Sequence, residues 1–381
     1  MNNKAFRPFA HAVRASLAII TIASIAGCFG GVKKPQPAEL QPVTALVSAR
    51  QSWSNRIGPV SFPLDVRVSG SSIGLASDDG AVVALDAQTG RDIWRLDLKT
   101  PIAAGVGNDG KVFAVVTKGN ELVAMQAGRE LWRQKLSAQV FTAPFVAGER
   151  VFVLAADRSI NAFDGQTGQK LWSQQRPGEA LVLRQSGVML AVGDMLVVGL
   201  AGRLVGLSPS DGGIRWEAPI ATPRGINDVE RLVDLVGSVS RVGDSVCARA
   251  FQTSIGCVNT TRGSVQWTKP ANGMQGLQGD DRLLFGTEAD GTVIAWRRAD
   301  GERVWSSERL RYRGLSAPLL AGRSVAIGDA TGFVHLLSRE DGSLLNRLST
   351  DGSAIAAAPV LAGNTLVAVT RKGGIYGFQP E

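Results

Sequence analysis

The sequence predicts an all-β protein: an eight-bladed β-propeller with four-stranded antiparallel blades, closed by pairing of the N- and C-terminal strands. Three observations lead to this prediction. A motif recurs about every 40 residues, the chain contains 45 glycines, and a strand-like segment near its start has no blade of its own. Aromatic residues make up only 6% of the chain, as is usual where many short strands alternate with tight turns.

Each copy of the motif has an apolar strand, a turn with glycine and a second apolar strand that ends in tryptophan. The last copy ends in asparagine instead. The terminal residues are Trp94, Trp132, Trp172, Trp216, Trp267, Trp305 and Asn346, and they are 38, 40, 44, 51, 38 and 41 residues apart. A unit of this length holds about four strands. Because one such sheet cannot cover both of its faces, radial packing of the units is expected.

The ends of the chain determine the number of blades. Residues 373–381 (GGIYGFQPE) form a half copy that lacks its outermost strand, which makes an incomplete eighth blade. Residues 45–53 (ALVSARQSW) have a strand pattern and end in the tryptophan of the repeat. We expect this segment to pair with the C-terminal strand and close the ring, because closure protects sheet edges. Seven blades is the alternative.

The first 27 residues have the pattern of a secretory signal. The segment begins with three basic residues and no acidic one, at Lys4, Arg7 and Arg14. The apolar stretch 15–26 is too short to span a bilayer as a mature helix. It leads into Ile25-Ala26-Gly27-Cys28, which resembles the lipobox of bacterial lipoproteins. The resemblance implies cleavage before Cys28 and lipidation of its thiol, and the alternative is an ordinary buried cysteine behind another cleavage site.

Three regions follow from this reading: a lipoprotein signal peptide (1–27), a lipidated flexible tether (28–42) and the propeller (43–381). The tether is rich in Gly and Pro. Phe29 follows the cysteine where, in lipoproteins, an aspartate would mark retention in the inner membrane. We therefore expect a lipid anchor in the outer membrane, with the protein facing the periplasm. Loss of the signal lowers the formal net charge from +8 to +5, and the scattered basic residues do not predict nucleic-acid binding.

Two consecutive connections between blades are lengthened. The distance from the terminal tryptophan to the glycine of the next blade is 16 or 17 residues in regular copies, but 21 after Trp172 and 27 after Trp216. We expect both connections to leave the same rim, and insertions on one face of a repeat protein often mark its binding face.

In the first connection, Leu181 and Leu183 stand at alternate positions beside Arg184. Apolar anchors next to an arginine are typical of interface hot spots, which predicts a partner-binding segment. Capping of the core by the two leucines is the alternative. In the second connection, apolar residues between Val229 and Val236 are spaced as in a helix, with Asn227 or Asp228 as N-cap.

The segment Ala84–Trp94, with the pattern AxDxxTGxxxW, and its copy at Ala162–Trp172 resemble the repeat of quinoprotein-like propellers. Behind a lipobox and at this length, the sequence is similar to the BamB family, lipoprotein subunits of the β-barrel assembly machinery. The resemblance implies binding to the periplasmic POTRA domains of BamA and to other lipoproteins of the machinery. Unfolded outer-membrane proteins are a further implied partner.

The same resemblance assigns roles to single residues. Leu181, Leu183 and Arg184 match a Leu-x-Leu-Arg segment that contacts BamA in this family. Asp234 matches one of two aspartates in the second connection. Val236 stands at the place of the other aspartate, so the acidic half of the contact differs here.

A periplasmic quinoprotein-type dehydrogenase is the alternative function. In the quinoprotein family such enzymes bind pyrroloquinoline quinone and Ca²⁺ with a vicinal cysteine pair, a stacking tryptophan and carboxylate ligands. The chain has no Cys-Cys pair, and His335 is the one histidine outside the signal. We therefore predict no enzyme, no cofactor, no metal site and no catalytic residues.

Cys247 and Cys257 belong to one predicted hairpin whose loop lies around residues 251–253. In an oxidising compartment they can form a structural disulfide across the strands. Two small buried hydrophobic side chains are the alternative.

Overall fold

The computed structural model describes residues 35–176, 181–224, 226–227 and 230–380. Within this part of the chain, thirty-two strands form eight antiparallel sheets of four strands each. The first strands of successive sheets contact one another around the ring, except that the fifth sheet's first strand contacts the second strand of the fourth sheet. The first strand of the eighth sheet contacts that of the first sheet, which closes the ring. The eight-bladed propeller is therefore confirmed, and the seven-bladed alternative is wrong. The described residues include no helix long and apolar enough to cross a membrane.

The first strand of the chain, β1 (Ala49–Arg56), belongs to blade 8. Blade 1 consists of β2 (Arg67–Ser69), β3 (Ser72–Ala76), β4 (Ala81–Asp86) and β5 (Asp92–Asp97), and blade 2 of β6 (Ile102–Asn108), β7 (Val112–Thr117), β8 (Glu121–Gln126) and β9 (Arg129–Lys135). Blade 3 consists of β10 (Phe145–Ala147), β11 (Arg150–Leu154), β12 (Ile160–Asp164) and β13 (Lys170–Gln174), and blade 4 of β14 (Met189–Val192), β15 (Met195–Leu200), β16 (Arg203–Leu207) and β17 (Ile214–Pro219). Blade 5 consists of β18 (Leu235–Val242), β19 (Ser245–Ala250), β20 (Ser254–Asn259) and β21 (Ser264–Pro270), and blade 6 of β22 (Gln278–Gly279), β23 (Leu283–Thr287), β24 (Val293–Arg297) and β25 (Arg303–Ser307). Blade 7 consists of β26 (Leu319–Ala321), β27 (Ser324–Gly328), β28 (Phe333–Ser338) and β29 (Leu344–Ser349), and blade 8 of β30 (Val360–Ala362), β31 (Thr365–Val369) and β32 (Gly374–Pro380) together with β1.

The middle and outer strands of a blade differ in burial, as their sequences predict. All six residues of β7 are buried, because neighbouring blades cover both faces of the strand. Along the outer strand β21, exposed and half-buried residues alternate. The core therefore consists of continuous apolar runs at the second and third strands, between one blade and the next.

Ring closure follows the prediction from the chain ends. Strand β1 pairs antiparallel with β32, from Ala49 opposite Pro380 to Arg56 opposite Gly374. The register shifts between Gln51 and Trp53. Blade 8 thus takes its outermost strand from the beginning of the chain.

The terminal tryptophan of each repeat packs on the following blade. The Trp132 indole N–H donates to the carbonyl of Gly165 at 3.0 Å. A Cβ on Gly168, whose φ is +73°, would lie 2.6 Å from Trp132 Cδ2. Glycine is therefore required there both by the turn and by the indole ring that covers it.

At two junctions the terminal residue makes a different hydrogen bond. The Trp216 indole N–H donates to Met195 Sδ in its own blade, at 3.3 Å. At the end of blade 7, the Asn346 side-chain amide donates to the Val47 carbonyl at 2.8 Å. The following blade has no hairpin between its third and fourth strands, because its fourth strand is β1. This explains why the last repeat lacks tryptophan.

The described part of the predicted tether lies against the propeller from Ala38 onward. The Ala38 N–H donates to the Arg311 carbonyl at 2.9 Å, and Arg313 Nη1 donates to the Ala38 carbonyl at 3.0 Å. Leu40 packs against an apolar cluster that includes Leu310. The flexible tether was expected to reach residue 42, but these contacts hold its last residues. The predicted signal peptide and Cys28 lie outside the described residues.

Candidate partner-binding site

The two lengthened connections run from β13 to β14 and from β17 to β18, and they touch each other. The Leu183 N–H in the first donates to Asp234 Oδ2 in the second at 2.9 Å. The first connection is also attached to the connection between β9 and β10, because the Gly187 N–H donates to Thr142 Oγ1 at 2.9 Å. The structure thus brings together the segments that the sequence placed on one rim.

A buried arginine joins both connections to the turn between β11 and β12. Arg158 Nη1 donates to Asp234 Oδ1 at 3.0 Å, and Nη2 donates to the Leu181 carbonyl at 3.1 Å. The side chains of Arg158 and Asp234 are 8% and 16% exposed. Both carboxylate oxygens of Asp234 are therefore engaged within the chain. Sequence reasoning selected Asp234 but missed Arg158.

The segment Leu181–Arg184 presents an apolar side chain and a positive charge. Leu181 is 39% exposed, whereas Leu183 is half-buried and lines a small cavity with Leu154 and Leu235. Arg184 is exposed, and its guanidinium carbon lies 5.9 Å from the ring centre of Phe141. A cation over an aromatic face is restrained without losing its contact with water.

The helix predicted in the second connection is absent from its described residues. Asn227 caps a single turn, since its Oδ1 accepts from the Glu230 N–H at 2.9 Å and its carbonyl accepts from the Arg231 N–H at 3.1 Å. Val236 lies in β18 opposite Arg249, so strand pairing prevails over the helical spacing. Ile226 is 97% exposed beside this turn. Asp228 and Val229 lie outside the described residues.

His335 belongs to a buried charged cluster elsewhere on the ring. Its Nε2 lies 3.1 Å from Asp329 Oδ2, which also accepts from Arg313 Nε at 2.8 Å. Burial lowers the pKa of His335, and the bond to Asp329 offsets this only in part. Burial raises the pKa of Asp329, but hydrogen bonds from His335 and from the Phe333 N–H hold it well below its usual range. The cluster supports Arg313, which in turn binds Ala38.

The cysteines face each other in blade 5. Cys247 on β19 is directly opposite Cys257 on β20, as the hairpin predicted, and both are fully buried. Their sulfur atoms lie at bonding distance, 1.94 Å. Arg298 Nη1 is 3.1 Å from Cys247 Sγ. The presence of the bond in the protein stays a prediction.

The cysteines and the histidine that the sequence offered for quinoprotein chemistry have other places in the structure. Among the described residues, no group of three or more His, Cys, Asp or Glu is arranged to hold a metal ion. Cys247 and Cys257 are on neighbouring strands instead of adjacent in sequence, and His335 is committed to Asp329.

Comparison with known proteins extends these observations. The family described as "Outer membrane protein assembly factor BamB" matches residues 78–307. The protein of that name from Burkholderia pseudomallei is 36% identical over 98% of each chain. The crystal structure of BamB from Moraxella catarrhalis has a TM-score of 0.80 at 24% identity, over 87% of this chain and 100% of that one.

A more distant structural relative shares the fold alone. The quinohemoprotein alcohol dehydrogenase ADHIIG from Pseudomonas putida HK5 has a TM-score of 0.67 at 13% identity, over 88% of this chain and 77% of that one. The relatives with high sequence identity are assembly factors, not enzymes. With its eight blades, its matched repeats and a full-length relative at this identity, the chain belongs to the BamB family of outer membrane protein assembly factors.

Proposed function

We propose that this protein is a lipid-anchored scaffold of the outer-membrane β-barrel assembly machinery and binds the periplasmic POTRA domains of BamA. The observation that carries this proposal is the joining of the two lengthened connections into one surface. The Leu183–Asp234 hydrogen bond links them, and Leu181 and Arg184 are exposed beside it. Family membership supports the role in assembly of outer-membrane β-barrels.

The chemistry of the surface suits a protein partner. Leu181 supplies exposed apolar area, and Arg184 supplies a cation that the Phe141 ring restrains. Arginine is enriched among the few residues that supply most of the binding energy of an interface, and such residues lie where contact with water is lost. Asp234 belongs to this site through the Leu183 N–H that it holds, rather than as an open acidic group.

The test is co-purification with BamA from detergent-solubilised outer membrane. We expect the double variant Leu183→Ala/Arg184→Ala to bind at least about 30-fold more weakly, since two hot-spot residues contribute about 2 kcal/mol or more together. The matched control is Leu131→Ala/Arg129→Ala, which removes an exposed leucine and arginine from the outer strand β9. Unchanged co-purification of the first variant, with both variants folded, would contradict the site.

The lipid anchor is part of the same proposal. Cys28 carries the lipid, which holds the protein at the outer membrane on the periplasmic side, because two or more acyl chains give stable membrane attachment. Other lipoproteins of the machinery and unfolded outer-membrane proteins are further proposed partners. The variant Cys28→Ala should move from the membrane fraction to the soluble periplasmic fraction. Retention of that variant in the membrane would show another mode of attachment.

A further inference from the structure

One turn of the ring contains an arginine where four of the six described turns of the same geometry have glycine. In the turn between the second and third strands, one N–H donates to the carbonyl three residues earlier, and the residue that donates has a positive φ. Among the described turns of this geometry, the residues and φ angles are Gly80 (+106°), Asn120 (+57°), Arg158 (+63°), Gly291 (+86°), Gly332 (+83°) and Gly373 (+84°).

This backbone conformation disfavours arginine. The left-handed region brings Cβ close to the following carbonyl, and glycine avoids the clash, while asparagine tolerates it better than most residues. A strained residue persists where its other contacts offset the strain. For Arg158 those contacts lie in its side chain.

The side chain of Arg158 connects three segments. From the turn of blade 3, its guanidinium reaches Leu181 in the first lengthened connection and Asp234 in the second. Asp234 completes the group by accepting from the Leu183 N–H. Because Arg158 and Asp234 are almost shielded from water, these charge-assisted bonds are stronger than on an open surface.

We propose that Arg158 is a positioning residue for partner binding: it fixes the conformation of Leu181–Arg184 without contacting the partner. This inference rests on the proposed function of that segment. At 8% exposure, Arg158 offers the partner little surface. Its effect on affinity arises because a segment that occupies its binding conformation only part of the time binds correspondingly more weakly.

The test is the variant Arg158→Gly in the full-length lipoprotein in detergent. Glycine suits the turn, so the variant removes the side-chain contacts and relieves the backbone. The matched control is Asn120→Gly, at the same turn position in blade 2. We expect Arg158→Gly to bind the POTRA domains of BamA about tenfold more weakly, while Asn120→Gly binds as the wild type does. Amide exchange at Leu183 should become faster in Arg158→Gly alone.

A second pair of variants separates positioning from general stability. Combining Arg158→Gly with Asp234→Ala should weaken binding no more than either change alone, because both act through one set of bonds. If Arg158→Gly lowers the thermal midpoint, the binding test uses Asp234→Asn in its place. Asparagine keeps an acceptor for the Leu183 N–H but loses the charge that pairs with Arg158.

Three results would overturn the inference. Wild-type affinity of Arg158→Gly, while Leu183→Ala/Arg184→Ala still weakens binding, would refute positioning and leave the proposed function intact. Unchanged amide exchange at Leu183 would refute the restraint itself. Wild-type affinity of both Arg158→Gly and Leu183→Ala/Arg184→Ala would refute the proposed function together with this inference.

Discussion

Removal of the tryptophan that closes the ring should cost more stability than removal of a tryptophan that bonds within its own blade. Trp53 on β1 is 8% exposed, and its indole N–H donates to the Ala87 carbonyl of blade 1 at 3.0 Å. A buried tryptophan covers about 200 Å², which at about 25 cal/mol per Å² corresponds to about 5 kcal/mol. That area overstates the gain because the unfolded chain is partly collapsed. With the lost hydrogen bond of about 1 kcal/mol included, we expect Trp53→Ala to lower the free energy of unfolding by about 4 kcal/mol.

The matched comparison is Trp216→Ala. Trp216 also packs on the following blade, at Gly263, but it is only half-buried and its N–H bonds to Met195 in its own blade. Its removal therefore exposes less area and breaks no hydrogen bond between blades. We expect a loss of about 2 kcal/mol for this variant. The assay is guanidinium unfolding followed by circular dichroism, with amide exchange in β32 as a local measure of ring closure. Equal losses in the two variants, or unchanged exchange in β32 of Trp53→Ala, would refute the reasoning.

Two further predictions concern the buried cluster and the cysteines. Because burial lowers the pKa of His335, the unfolded chain takes up a proton near pH 6.5 that the folded chain resists, so stability falls as the pH drops below that value. The thermal midpoint should therefore decrease more between about pH 7.5 and 5 in the wild type than in His335→Gln. Equal decreases in the two proteins would count against this prediction. The lowered pKa of Asp329 acts only below about pH 4. Denatured, unreduced protein should show no free thiol from Cys247 or Cys257, and reduction should remove about 3 kcal/mol of stability; two free thiols would show that the bond is absent.

The fold could be predicted from the sequence because every copy of the repeat that ends in tryptophan makes the same contact with the next blade. Each tryptophan needs a glycine in the next blade, as Trp132 and Gly168 show, so a local pattern reports a contact between blades. The unpaired strand that ends in Trp53 predicted how the ring closes. Even the missing tryptophan at Asn346 has a topological cause.

The candidate site was only partly accessible from sequence. Leu181 and Arg184 stand out because the connection is longer than its counterparts. Arg158, in contrast, bonds to a residue 76 positions away, and no local pattern reports that distance. The helix predicted around Val236 failed because helical spacing over a short apolar run does not exclude a strand, and pairing with β19 decides between them. A tertiary contact also decided the end of the tether, where Arg313 binds Ala38.

The closure of blade 8 imposes an order on folding. Ser52 and its hydrogen-bond partner Gly377 are 325 positions apart, so the first strand cannot pair until the last strand is present. Blades 1 to 7 are each built from consecutive strands, but β1 keeps an open edge until the final seven-residue strand pairs with it. During that interval the nascent protein exposes a strand edge that invites pairing with other chains. A chaperone that shields β1 until β32 has formed would therefore improve the yield of closed rings more than one that acts on any later strand.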